Sequence, residues 1–296
     1  MNILLGGAHG FLGGALVDHL ESVGHRITRL TRGDPAGNPG DIPWNPADGE
    51  LTLAPDQQFD AVIHLGGANI AEGRWTQRRK QLLRDSRIQS TGLLARALAA
   101  HPRPPKVFAC ASAIGIYGDR GDELLTEESS LADDFLGRLA QAWEDACEPA
   151  SAAGIRVVHL RFGVILGAGG GAMAKLVLPF RLGLGGRIGD GRQFMSWISR
   201  RDAVRATTFC LQKEELTGPV NIVAPDAVTN RAFTRELGRS LHRPTLLPIP
   251  ATALRLLFGE MADATLLAST RVRPAKLLTA GFEHRDSDLS SVFADF

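Results

Sequence analysis

The chain has 296 residues, of which 44% are hydrophobic and 22% charged, and its 33 Lys and Arg nearly balance its 32 Asp and Glu. This is the composition of a globular protein with a sizeable core, and it excludes disordered, coiled-coil and collagen-like chains. A formal net charge of +1, with basic residues scattered along the chain, predicts no nucleic-acid partner.

No apolar run approaches the ~20 residues that span a bilayer, so no membrane partner is predicted. The apolar opening before the first glycines indicates a strand rather than a signal peptide. The three cysteines, Cys110, Cys147 and Cys210, are widely spaced and lack the spacing of metal ligands, so no metal site is predicted. They fit a reducing cytoplasm, in which each is a small buried apolar side chain.

Short apolar runs alternate with helical patterns along the first half of the chain. Strands are predicted at 2–5, 26–30, 61–65, 106–111 and 156–160, and helices at about 11–23, 75–99 and 134–153. This alternation is typical of βαβ units, so it predicts a Rossmann-like α/β fold with a doubly wound parallel sheet. The segment at about 34–56, rich in proline and glycine, is predicted to be a surface loop.

The second half is less regular. A helix is predicted at 202–212, a strand at 220–223, a helix at 230–241 and a last helical stretch at 251–269. We predict a Rossmann domain over 1–165, which the helix at 202–213 and the strand at 220–223 could rejoin. A smaller substrate or lid region then covers 166–296 and includes a helical domain from about 245.

Three glycines directly follow the first predicted strand and open the first predicted helix. Gly7 permits a tight turn, Gly10 lets the backbone approach a pyrophosphate, and Gly13 lets the helix pack on the strand. The helix N-terminus then offers free N–H groups and a positive dipole end to the anion. The turn predicts a dinucleotide site, and a structural turn without ligand is the alternative.

The end of the second strand bears on the choice of cofactor. Thr31 and Arg32 stand where an NAD enzyme is expected to place an acidic residue against the ribose hydroxyls. A guanidinium group can pair with a 2′-phosphate, whereas a carboxylate would repel it. We therefore predict NADP(H), while a solvated Arg32 with Asp34 serving the ribose of NAD is the alternative.

Several stretches carry a family resemblance. The glycine spacing, the strand end at 60–68 and the run Ser-Ala-Ile-Gly-Ile-Tyr-Gly at 112–118 together resemble the extended short-chain dehydrogenase/reductases. The stretches 69–74, 85–87, 178–197, 258–261 and 271–274 resemble more specifically an atypical branch called epimerase family proteins. Some bacterial members of that branch carry a cell-division-inhibitor label, and its C-terminal region is a domain of unknown function. The resemblance covers essentially the whole chain.

The resemblance implies a set of residues that contact NADP(H). They are Gly7, Gly10, Phe11, Leu12, Gly13, Thr31, Arg32, Leu65, Gly66, Arg87 and Val164. Without the resemblance, Arg87 is one of several cations on a helix face that is expected to be solvated.

The acid/base pair of the short-chain reductases, a Tyr followed four residues later by a Lys, is absent. The chain has a single tyrosine, Tyr117, and no lysine follows it at that spacing. By the resemblance, Leu136 and Ala140 occupy the two positions. Chemistry on an alcohol or carbonyl therefore needs another proton donor.

Two other side chains are candidates for the missing role. Ser112 ends a strand beside the expected nicotinamide and could orient a carbonyl, and Tyr117 in the following turn could supply the proton. The alternative for both is a turn residue whose hydroxyl is satisfied by other hydrogen bonds. His64, at another strand end, is predicted to be a packed histidine rather than a catalytic base.

A glycine-rich stretch in the second half contains three arginines, Arg181, Arg187 and Arg192. Planar cations on a flexible backbone suit a small anionic substrate, and in the extended reductases the corresponding region faces the substrate. A surface loop with solvated arginines is the alternative.

Two functional classes follow from these patterns. The first is an NADP(H)-dependent oxidoreductase or epimerase-like enzyme that lacks the Tyr–Lys pair. The second is a regulatory protein that senses NADP(H) or binds a partner and has lost the chemistry. The sequence leaves the substrate and a homodimeric state open.

Overall fold

The computed structural model describes residues 1–32 and 40–294. The strands are β1 Asn2–Gly6, β2 Arg26–Thr31, β3 Ile42–Asn45, β4 Glu50–Leu51, β5 Ala61–His64, β6 Val107–Ala113, β7 Leu124–Leu125, β8 Arg156–Phe162, β9 Val164–Leu166, β10 Phe194–Met195, β11 Trp197–Ser199, β12 Gly218–Ile222, β13 Val228–Thr229 and β14 Arg271–Val272. The helices are α1 Phe11–Ser22, α2 Gln77–Ala99, α3 Phe135–Asp145, α4 Glu148–Ala152, α5 Met173–Arg181, α6 Arg200–Gln212, α7 Asn230–Ser240, α8 Ala251–Phe258, α9 Ala275–Thr279 and α10 Leu289–Phe293. A short 3₁₀ turn covers Ile114–Tyr117, and a π-helical turn covers Ala262–Leu267.

Eight strands form one sheet in the order β12-β8-β6-β5-β1-β2-β3-β4. Every neighbouring pair is parallel except β3 and β4, which are antiparallel. The strand order reverses between β1 and β5, and in such sheets ligands bind outside the carboxyl ends of the strands at the reversal. The predicted Rossmann-like, doubly wound parallel sheet is confirmed.

Helices cover both faces of this sheet because its strands are apolar on both sides. On one face α1 packs against α6, and Leu16 and Cys210 are completely buried there. On the other face α2 packs against α3 and α4, with Leu94 and Trp143 in the core. All three cysteines are buried free thiols, as predicted.

The prediction of a surface loop at 34–56 is wrong for residues 40–56, which the structure describes. Residues 40–56 contain β3 and β4, and β3 extends the sheet beside β2. Trp44 of β3 is buried, and its ring meets the His64 ring edge-on at a centroid distance of 5.5 Å. Burial of this aromatic side chain outweighs the turn-forming prolines and glycines around it.

Two predicted helices are interrupted in the structure. The stretch 134–153 divides into α3 and α4, and Pro149 stands in the first turn of α4, where its missing N–H is tolerated. The stretch 251–269 divides at Gly259, whose φ of +59° ends α8 before the π-helical turn.

The remaining elements build a smaller region against the sheet. Strand β9 pairs with β11, β10 with β13, and β14 returns to pair with β7. Helix α5 forms where no helix was predicted. Strand β12 lies in the main sheet beside β8, and α6 packs on α1. None of the helices within 1–32 and 40–294 is long and apolar enough to cross a membrane.

Candidate functional site

The glycine turn joins β1 to α1 at the point where the strand order reverses. Gly7 has a φ of +89°, and a Cβ placed on it would lie 3.0 Å from the carbonyl carbon of Leu65. A Cβ on Gly13 would overlap the carbonyl oxygen of Gly7. Both positions therefore require glycine, and the turn brings the ends of β1 and β5 together at the start of α1.

The first turn of α1 is open to a ligand. Gly10 is the N-cap residue, its backbone is extended, and no side chain caps the helix. The first N–H groups of α1 are therefore free for an anion, and the helix dipole favours one there.

Phe11, the first residue of α1, is covered from outside by the chain that follows β9. Its ring lies against Gly170 and Gly171, and the guanidinium carbon of Arg200 is 4.8 Å from its centroid. A cleft of about 460 Å³ opens beside these groups and is also lined by His9. Sequence reasoning missed Arg200, because only the fold brings the start of α6 to the glycine turn.

The carboxyl end of β2 carries the residues predicted to select the cofactor. Arg32 is exposed, and the Thr31 Oγ1 is buried without a hydrogen-bond partner in the described part of the chain. An unpaired buried hydroxyl is costly, so a ligand or a water is expected to satisfy it. Asp34, the acidic alternative, lies outside the described residues.

Arg87 is a partly buried cation rather than a member of a fully solvated helix face. Its guanidinium lies over the Trp143 ring at 4.9 Å and against Gly67, just beyond β5. Its Nη1 donates to the Leu83 carbonyl at 3.2 Å, and among residues 1–32 and 40–294 no carboxylate pairs with it. Burial, with a contribution from the nearby Arg79, lowers the pKa of Arg87 to about 10. A partly buried cation without a counter-charge fits an anion-binding position.

Val164 begins β9 directly after the end of β8. Its N–H donates to the Ser196 carbonyl at 2.9 Å, and its side chain is half-buried. It therefore lies at the carboxyl edge of the sheet, on the same side as Leu65 and Gly66.

Ser112 donates its proton within the protein. Its Oγ donates to Glu144 Oε1 at 2.6 Å, and Arg161 holds both oxygens of that carboxylate at 2.8 Å. Because an ion-paired carboxylate only accepts, the Ser112 proton points to Glu144. The residue is only 3% exposed, so the prediction that Ser112 orients a substrate carbonyl is not supported.

Tyr117 is completely buried, and its hydroxyl has two partners. It accepts from Arg161 Nη1 at 2.9 Å and donates to Asn221 Oδ1 at 2.8 Å. Burial raises the pKa of Tyr117 above its ordinary value. Tyr117 is therefore a turn residue whose hydroxyl is satisfied inside the protein, which was the alternative interpretation. Its predicted role as a proton donor is not supported.

Leu136 and Ala140, which the resemblance assigns to the Tyr and Lys positions, lie in apolar surroundings. Leu136 belongs to a cluster with Trp75 and Met261, and Met261 comes from the segment after α8. Ala140 packs among apolar residues that include Val272 of β14. The C-terminal segments thus contribute side chains around both positions.

His64 is a packed histidine beneath the glycine turn. It is completely buried, its Nε2 lies 3.0 Å from Ser90 Oγ, and its Nδ1 has no partner in the described structure. Burial lowers the pKa of His64 to about 4. It is therefore neutral at pH 7 and has no access to a substrate.

This burial predicts acid-sensitive stability. The unfolded chain takes up a proton near pH 6.5 and the folded chain only near pH 4, so stability falls as the pH falls between these values. The loss should reach about 2 kcal/mol at pH 5. Between pH 7.5 and pH 5, the free energy of unfolding measured in urea should fall less for His64→Gln than for the parent. The control His9→Gln, at an exposed histidine, should lose as much as the parent. An equal loss in both variants would contradict the assignment.

The three predicted substrate arginines lie on the surface of the smaller region. Arg181 ends α5, and Arg187 lies in the loop that follows; both are exposed. Arg192 is 84% exposed, and its Nε lies 4.0 Å from Asp190, which partly compensates its charge.

Comparison with known proteins adds the family. Residues 3–224 match the model of the NAD dependent epimerase/dehydratase family, and residues 249–296 match a domain of unknown function, DUF1731. Epimerase family protein Mb2239 of Mycobacterium bovis is 42% identical over 281 residues, which cover 95% of this chain and 92% of that protein. Epimerase family protein YfhF of Bacillus subtilis is 37% identical over 296 residues, which cover 98% of this chain and 95% of that protein.

A solved structure agrees over the whole chain. The crystal structure of human epimerase family protein SDR39U1 (isoform 2) with NADPH has a TM-score of 0.92 and 34% identity, and the match covers 100% of this chain and 98% of that one. The family model and the relatives confirm the resemblance predicted from the sequence. The chain belongs to the NAD dependent epimerase/dehydratase family.

Proposed function

We propose that the chain is an NADP(H)-dependent oxidoreductase. The observation that carries the proposal is the glycine turn, in which Gly7 and Gly13 leave no room for a side chain and α1 begins without a cap. The crystal structure of the human relative with NADPH supports the same cofactor here.

The described residues fit this cofactor. The N–H groups at the start of α1 would hold the pyrophosphate, and the Arg200 guanidinium over Phe11 adds positive charge beside them. Arg32 and the unsatisfied Thr31 hydroxyl would meet the adenosine 2′-phosphate. When bound, the nicotinamide ring supplies or accepts a hydride at C4.

The proton chemistry differs from that of reductases with the Tyr–Lys pair. Leu136 and Ala140 cannot move protons, and the hydroxyls of Ser112 and Tyr117 are engaged inside the protein. Arg87, just beyond the end of β5, can hold an anionic group of cofactor or substrate and stabilise negative charge. We infer that any proton is exchanged with water rather than with a side chain at the pair positions.

A second candidate is a non-catalytic NADP(H) sensor. It is favoured by the burial of Ser112 and Tyr117 and by the apolar cluster around Leu136. The enzyme is favoured by Arg87, because a sensor that needs only the adenosine half has no evident use for a partly buried, unpaired cation just beyond β5. A protein that binds NADPH tightly but oxidises it with none of a panel of aldehydes and ketones would support the sensor.

Arg32→Ala tests the cofactor assignment. The parent protein should bind NADPH and NADP at least tenfold more tightly than NADH and NAD, because a charge-assisted hydrogen bond to the phosphate contributes about 1.5–3 kcal/mol. The variant should lose that preference while its affinity for NADH is unchanged. Calorimetric titration with the four nucleotides measures both affinities.

The matched control is Arg26→Ala, which removes an exposed arginine from the opposite end of β2. It should leave all four affinities unchanged. Equal binding of the four nucleotides by the parent would refute the role of Arg32, and no binding of any of them would refute the proposed function.

A further inference from the structure

Seven leucines that are each more than 60% exposed lie in the smaller region. They make up seven of the twelve large apolar side chains that are exposed in the described ranges. We call them the leucine face: Leu178, Leu182, Leu184, Leu246, Leu247, Leu256 and Leu257. Single exposed apolar residues are ordinary, but a concentration of this size indicates a binding surface.

The two stretches of chain that carry the first five leucines are adjacent. Arg243 Nε donates to the carbonyl oxygen of Arg181 at 2.8 Å. A Cβ on Gly186 would overlap the carbonyl oxygen of Leu247. Ile249 N–H donates to the Arg187 carbonyl at 2.8 Å. The leucines at 178–184 and at 246–247 therefore belong to one surface.

This surface borders the cofactor side of the sheet. Lys175 lies on the same side of α5 as Leu178 and Leu182, and its Nζ donates to the Ala71 carbonyl at 2.8 Å. From the same loop, Arg74 Nη1 donates to the Leu256 carbonyl in α8 at 3.2 Å. That loop continues from Gly66, whose backbone lies against Gly7 of the glycine turn.

The charge around the leucine face is positive. Residues 173–187 and 237–258, which carry all seven leucines, contain no Asp or Glu but include several arginines. In the described part of the chain Arg187 and Arg243 have no carboxylate within ion-pair distance, whereas Arg255 is paired with Asp263. Two copies of this face packed against each other would oppose like charges, so a second copy is a poor occupant.

We propose that the leucine face binds a soluble single-chain acyl compound that carries an anionic group. The leucines would cover the acyl chain, and the arginines would pair with the anion. This inference rests on the proposed function and deepens it, because it makes such a compound the substrate class of the oxidoreductase. Arg187, which was predicted to contact the substrate, lies beside this apolar surface.

The test is calorimetric titration of the NADPH-saturated full chain with dodecanoate below its micelle concentration. Dodecanoate should bind, acetate should not, and dodecyltrimethylammonium, which has the same chain and the opposite charge, should bind at least tenfold more weakly. The double substitution Leu178→Ser with Leu182→Ser should weaken dodecanoate binding about tenfold or more. Leu82→Ser, at an exposed leucine of α2, is the matched control and should change nothing.

Four outcomes would overturn the proposal: no dodecanoate binding, equal binding of the cationic analogue, an equal loss in the Leu82→Ser control, or a leucine-dependent attachment to phosphatidylglycerol vesicles in place of dodecanoate binding. The last result would assign the face to a membrane surface. NADPH affinity is measured separately for each variant. If the proposed function is wrong, the NADPH titration fails. If only the proposal for the leucine face is wrong, NADPH binds and the dodecanoate titration fails.

Discussion

Gly13→Ala is expected to lower NADPH affinity about 100-fold or more, because the new methyl group overlaps the carbonyl oxygen of Gly7. To relieve the overlap, α1 must move away from β1, and its first N–H groups then no longer face the pyrophosphate position. The strain should also lower the free energy of unfolding by about 1–3 kcal/mol. Calorimetric titration with NADPH and urea unfolding measure the two effects.

The neighbouring glycine supplies the control. A Cβ on Gly14 would have its nearest neighbour, the carbonyl oxygen of Ala8, at 3.8 Å, which is ordinary contact. Gly14→Ala should therefore keep the cofactor and stabilise α1 by about 0.5–1 kcal/mol through its higher helix propensity. Equal losses of affinity in the two variants would show that the turn does not hold the cofactor as proposed.

Glu144→Gln is expected to lower the free energy of unfolding by about 3–5 kcal/mol, because it leaves the buried Arg161 guanidinium without its counter-charge. The side chains of Arg161 and Glu144 are only 4% and 11% exposed. The loss should be measured by urea unfolding. Combining the substitution with Arg161→Met should recover part of it, since the unpaired charge is then removed as well.

A surface pair provides the comparison. Arg138 and Asp133 are 59% and 93% exposed and lie 2.9 Å apart. Arg138→Gln should change the stability by no more than about 0.5 kcal/mol, because water screens the pair. If Glu144→Gln costs no more than this, the Ser112, Glu144 and Arg161 network does not stabilise the fold as described.

Local patterns in the sequence determined the cofactor half of the protein. The first strands and helices alternate with clear periodicity, and the contact that requires Gly13 is with Gly7 of the same turn. The absence of the Tyr–Lys pair also follows from residue identities alone, since Tyr117 is the single tyrosine.

The tertiary structure alone decided what the candidate catalytic groups do. The hydroxyl of Ser112 is directed by Glu144, and that of Tyr117 by Asn221, which is 104 residues away in the chain. The strands at 42–51 depend on the burial of Trp44 against His64. Likewise, the leucine face depends on contacts between residues 181–187 and 243–249, and on the loop at 71–74 that contacts both α5 and α8. Hydrogen-bond direction and burial depend on neighbours that are distant in sequence, so a local pattern cannot contain them.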